Sequence, residues 1–160
     1  MASNLKVNVT GGLGNQLFKV MAGYQFSQRL GNSLVIDTSW YEKNSSFGGP
    51  VSHRKYELDF FPYLRQNLVL QSNSKSYRWD RKRAQIARRI NGKIALRAGF
   101  ITDVNYQELK ISKRNYVMDG NFENWLLLPA DEELTKLLEL PRDYSAWFEE
   151  NQKSLILQIT

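Results

Sequence analysis

Leu5-Lys6-Val7-Asn8-Val9-Thr10-Gly11-Gly12-Leu13-Gly14-Asn15-Gln16-Leu17-Phe18 is the stretch that decides the fold. Leu5–Val9 alternates apolar and polar side chains, the two-residue period of a strand. Thr10-Gly11-Gly12 ends it. From Leu17 the apolar positions Val20, Met21, Tyr24 and Leu30 fall at helical spacing, and Gly31-Asn32 is a helix stop. Leu34-Val35-Ile36 then reads as a short buried strand closed by Asp37. Strand, glycine loop, helix and strand within so few residues predict a parallel β-α-β unit, and hence an α/β domain.

The rest of the chain extends that pattern. Residues 41–55 are rich in turn formers. Tyr56–Leu64 is aromatic, and Tyr56, Phe61 and Tyr63 are expected in the core with Phe60. Leu68–Gln71 and Tyr116–Met118 read as strands. Residues 79–97 predict one basic amphipathic helix whose apolar face is Ile86, Ile90 and Ile94. Asp131-Glu132-Glu133 opens a helix with acids at its positive end, running to Leu140 with Leu134, Leu137 and Leu138 inward. Leu155–Ile159 reads as a strand apolar on both faces, like a central strand of a parallel sheet. A chain ending on such a strand reads as truncated.

Composition narrows the classes. The chain has 160 residues, 42% apolar and 24% charged, enough for one domain with a core of its own. It has no cysteine and one histidine, which rules out a thiolate or His-cluster metal site. No signal peptide or apolar run of membrane-spanning length is found, so the expected location is cytoplasmic or peripheral at a membrane. The formal net charge is +6, and the window Arg78–Arg97 alone carries more than that, with Asp80 as its single acid. A solvated helix face or a binding surface for RNA or anionic lipid explains such a window.

Glycines after a strand let the backbone turn tightly and approach a ligand, and the helix N–H groups beyond them face an anion. Asn15-Gln16 is wrong for a phosphate-binding P-loop, which needs Lys followed by Ser or Thr. Gly12 and Gly14 fit a dinucleotide fingerprint, but Leu17 stands in place of its third glycine. Asp37 stands where a ribose-binding acid would be, so an NAD-binding domain stays open as an alternative. Two carboxamides at a helix start suit sugar hydroxyls and glycosyl phosphates.

Gly11-Gly12-Leu13-Gly14-Asn15-Gln16-Leu17-Phe18, followed by Ala22, Gly23, Tyr24 and Leu30, closely resembles the first motif of α-1,2-fucosyltransferases. Asp37-Thr38-Ser39-Trp40 and Arg54-Lys55-Tyr56-Glu57-Leu58-Asp59-Phe60 resemble two later segments of that family, and Asp119–Trp125 a third more loosely. The resemblance implies the N-terminal Rossmann-like domain of a two-domain, GT-B type, inverting glycosyltransferase over residues 1–160. L-Fucose would pass from GDP-fucose to the 2-hydroxyl of a galactoside, without a metal. The family's basic pyrophosphate-binding motif follows a strand that Leu155–Thr160 resembles. The donor-binding domain would therefore be missing, and this chain alone is expected to be inactive.

Gly12, Gly14, Asn15 and Gln16 are the expected donor or acceptor contacts. Asp37, His53 and Glu57, with Asp119 and Glu123, are the candidate bases. Each has a plainer reading: Asp37 as a turn residue, His53 as a solvated side chain, and Glu57 as an ion pair with Arg54 or Lys55.

Overall fold

The computed structural model describes residues 3–44, 55–112 and 114–141. Five strands, Asn4–Asn8 (β1), Ser33–Asp37 (β2), Val69–Gln71 (β3), Phe100–Ile101 (β4) and Tyr116–Met118 (β5), form one sheet in the order β3-β2-β1-β5-β4. All four strand pairs are parallel. The helices are Leu13–Leu30 (α1), Ser39–Asn44 (α2), Pro62–Asn67 (α3), Ser74–Ala87 (α4), Gly92–Arg97 (α5) and Asp131–Leu137 (α6). The expected α/β class and β-α-β opening are therefore present, with a Rossmann-like parallel sheet. The strand predicted at Leu155–Ile159 lies outside the described residues.

Strand order dictates which helix covers which face. Right-handed crossovers place the β1–β2 and β2–β3 connections on one side of the sheet, and the returning β3–β4 connection on the other. Adjacent residues of β1 bear this out, because neighbouring side chains in a strand point to opposite faces. Val7 packs against Gly23 of α1, where an added Cβ would lie 2.5 Å from Val7 Cγ2. Lys6 points the other way and donates to Ser76 of α4 at 2.9 Å and to Asp80.

The α1 side holds most of the apolar core: Leu5, Val7, Val20, Met21, Phe26 and Leu30 are buried there with Leu58 and Leu64. Phe26, Tyr106 and Phe122 form a ring cluster with centroids 6.1–6.3 Å apart. α1 ends at Gly31, whose φ of +64° suits glycine, and the Asn32 N–H returns to the Ser27 carbonyl at 3.0 Å.

The segment read as one basic helix is two. α4 stops at Ala87, and Asn91 caps α5 by accepting from the Lys93 N–H at 2.9 Å. Its orientation is also the reverse of the prediction. α4 turns Tyr77, Asp80, Ala84 and Ala87 inward and leaves Ile86 exposed, and Ile90 and Ile94 beyond its end are exposed too. The sheet row beneath α4 carries Lys6, Asn8 and Asp37, so a charged residue, Asp80, satisfies it better than isoleucine. With 14 residues, α4 is about 21 Å long. That matches the roughly 19 Å across four strand spacings from β3 to β4.

Three smaller expectations also change. α1 begins at Leu13 rather than Leu17, and α6 ends at Leu137 rather than Leu140. Phe60 is exposed, while Phe61 is buried and Tyr56 and Tyr63 are partly buried against the core. β4 was not legible in the sequence.

Candidate functional site

The reversal in strand order falls between β1 and β5, and their carboxyl ends open the crevice in which parallel α/β sheets bind ligands. The glycine loop borders it from the β1 side. Gly11 has φ +91°, and a Cβ there would meet the Asn15 side chain at 2.9–3.0 Å. Gly12 caps α1 without a side-chain hydrogen bond, and the first intrahelical bond begins only at the Gln16 N–H, which donates to Gly12 O at 3.0 Å. The N–H groups of Leu13, Gly14 and Asn15 therefore stand at the positive end of an 18-residue helix, with Leu13 and Gly14 exposed.

The two carboxamides divide their work. Gln16 is buried. Its amide nitrogen donates to Gly11 O at 3.2 Å and to Lys55 O at 2.8 Å, and its oxygen accepts from the Glu57 N–H at 2.9 Å. It clasps the glycine loop to the 55–57 segment, and little of it is left for a ligand. Asn15 is half-buried, and its carboxamide has no hydrogen-bond partner among the described residues. Gly14 has open space where a Cβ would stand.

Asp37 does not enter the crevice. Its Oδ1 accepts from the Ser39 N–H at 3.0 Å and the Ser39 hydroxyl at 2.5 Å, the turn arrangement that a strand-end Asp commonly makes. Its Oδ2 lies 3.9 Å from Lys6 Nζ. Glu57 and Glu123 are exposed, and His53 lies outside the described residues.

The crevice is built by residues the sequence reading passed over or left unplaced. Asn8 is level with Asp37 in the register and with Asp119 just past β5, and Thr102 lies level with Asp119 beyond β4. Asn8 Nδ2 donates to Asp119 Oδ2 at 2.9 Å. Arg88, at the end of α4, donates to Asp119 Oδ1 at 3.3 Å and to Asp103 Oδ1 at 3.1 Å. Along this row three buried atoms lack a hydrogen-bond partner among the described residues: Asn8 Oδ1, Asp37 Oδ2 and Thr102 Oγ1.

Lys19 reaches the same place from α1 and donates to the Thr10 hydroxyl, although the residue is 5% exposed. Burial lowers its pKa. The Asp119 carboxylate opposes that shift, and the nearby Arg88 and Arg81 guanidinium groups reinforce it. The crevice thus combines helix-start N–H groups, a carboxamide with no partner among the described residues and one buried lysine, a set suited to a hydroxyl-rich or anionic ligand. Asn8 carried no signal of its own, because it fills a polar position of an alternating strand. Lys19 carried none, because a lysine every few residues is ordinary on a helix.

Among the described residues no group of three or more His, Asp or Glu side chains is placed to hold a metal ion, and no helix is long and apolar enough to cross a membrane. Comparisons with protein-family models, curated proteins and solved structures return no match.

Proposed function

We propose that this chain forms the N-terminal domain of a GT-B type, inverting fucosyltransferase using GDP-fucose as donor and a galactoside as acceptor. The observation that supports it most is the start of α1, which no side chain caps, beside the β1–β5 crevice, with the Asn15 carboxamide over Gly11 lacking a hydrogen-bond partner among the described residues. Backbone N–H groups and a carboxamide together hold sugar hydroxyls or a glycosyl phosphate. In such a transfer the departing nucleotide is already an anion, so it needs positive charge more than a proton. Lys19 contributes positive charge at the crevice wall. The attacking hydroxyl needs a base nearby. Of the candidate carboxylates, Asp37 is held by Ser39 and Asp119 by Asn8 and Arg88, which leaves exposed Glu57 and Glu123.

Amide NMR of the 160-residue chain tests this reading. GDP-fucose or lactose should shift the Leu13, Gly14 and Asn15 resonances, and NAD should not. Asn15→Ala should abolish the shifts while the spectrum of the core is unchanged. Equal or larger shifts with NAD would move the assignment to a dinucleotide-binding domain. No shift with either sugar ligand would remove its support.

A further inference from the structure

We propose that the outer face of α4 and α5 docks this protein on an anionic bilayer surface. This is independent of the glycosyltransferase reading, and either can fail alone. Four large apolar side chains stand on this face, with Trp79 64% exposed, Ile86 61%, Ile90 41% and Ile94 57%. Single exposed apolar residues are common, but four large ones within the segment 79–94 are not. Trp79 and Ile86 stand a seven-residue step apart on α4, opposite the Tyr77–Asp80–Ala84–Ala87 stripe that it buries, and Ile90 and Ile94 follow in the turn and on α5.

Cations flank the apolar run throughout. Lys75, Arg78 and Lys82 surround Trp79 in a shallow depression of about 280 Å³, with Lys82 Nζ 5.7 Å from the indole centroid. Exposed Arg83, Arg89, Lys93 and Arg97 continue the charge along the isoleucines. The one acid of the window, Asp80, faces inward and is neutralised by Lys6, so every exposed charge between residues 78 and 97 is positive, with Glu108 the nearby acid, beside Gly92 at the start of α5.

The residue types choose the occupant. Single-stranded nucleic acid is held by several stacking aromatics, and this face has one. Isoleucines have no use for a base, whereas they suit the acyl boundary of a bilayer, with tryptophan at the headgroup level and cations on anionic lipid. α4 is also tied to the crevice, through Lys6–Asp80 at its middle and Arg88–Asp119 at its end. Docking its outer side would set the crevice at a fixed distance from the membrane.

Vesicle flotation of the full chain tests this. It should bind vesicles of phosphatidylcholine with 30% phosphatidylglycerol at low salt, and bind neutral phosphatidylcholine vesicles at least tenfold more weakly. Trp79→Ala/Ile86→Ser keeps every charge and should lower anionic-vesicle binding at least fivefold, with an unchanged circular dichroism spectrum. Arg78→Gln/Lys82→Gln should lower it and flatten its salt dependence. Three outcomes overturn the proposal: no binding to anionic vesicles, binding indifferent to Trp79→Ala/Ile86→Ser, or tighter binding to a poly(U) oligonucleotide than to vesicles. So does sedimentation showing that the apolar pair instead joins two copies of the chain.

Discussion

The Asn8 carboxamide donates a 2.9 Å hydrogen bond to Asp119 across the point where the strand order reverses. Asp119 receives Arg88 on its other oxygen. One carboxylate therefore links β1, β5 and the end of α4, and sets the width of the crevice.

Asp119→Ala should cost about 2–3 kcal/mol, since it leaves the buried Asn8 amide unpaired and takes from Arg88 one of its two carboxylates. Asn8→Ala should cost less, about 1 kcal/mol, because it also removes the orphaned Asn8 Oδ1. Urea unfolding of the two variants checks the order. Equal losses would mean that Asn8, not Asp119, is the centre of the network.

Gly14 and Gly23 stand on the same helix, and replacing each by alanine should have opposite effects. At Gly23 the new methyl would sit 2.5 Å from Val7 Cγ2, so Gly23→Ala should destabilise by about 1–3 kcal/mol. At Gly14 nothing lies within 4 Å, so Gly14→Ala should stabilise α1 by roughly 0.5–1 kcal/mol. If a ligand rests on this turn, Gly14→Ala should weaken its binding while raising the melting temperature. Thermal melts and NMR titration read the two effects separately.

Lys19 predicts a pH dependence. Its pKa is lowered from 10.5 by burial, so below 10.5 the folded chain gives up this proton before the unfolded chain does. The unfolded state then holds more protons, and stability rises with pH through that window. Lys19→Met should therefore be more stable than the wild type near pH 7, with the difference closing as the pH approaches 10.5. An anionic ligand in the crevice should favour the charged lysine, so binding at alkaline pH should take up protons, measurable by calorimetry in buffers of different ionisation heat. Lys19→Met should abolish that uptake.

Lys6 serves two carboxylates, Asp80 directly and Asp37 at 3.9 Å. Lys6→Met leaves both uncompensated, and Asp37 is fully buried. Its cost should reach the upper part of the about 3–5 kcal/mol typical of a broken buried pair. Asp80→Leu should cost about 2 kcal/mol less than Lys6→Met, because Lys6 still has Asp37 to face and leucine fits under α4. Chemical denaturation of the two variants ranks them.

The basic segment shows why part of the site was illegible. Ile86, Ile90 and Ile94 make a regular apolar stripe, and local periodicity assigns such a stripe to the core. The molecule turns it outward because the surface that α4 crosses is itself polar, with Lys6 demanding Asp80. That demand comes from a residue 74 positions away. Gln16 misled in the other direction. Its position in the loop suggested a ligand contact, but Lys55 and Glu57, which are distant in sequence, take up its amide.

By itself the sequence determined the period of each long element, the glycine turn after β1, and the concentration of positive charge between Arg78 and Arg97. These depend on neighbours along the chain, through backbone sterics and side-chain spacing. Tertiary structure alone decided which side of α4 is buried, that Asn15 has no hydrogen-bond partner among the described residues while Gln16 is consumed, and that Asn8, Asp119, Lys19 and Arg88 meet at one crevice. Those outcomes depend on hydrogen-bond and charge partners far apart along the chain, which only the folded sheet and its helices bring together.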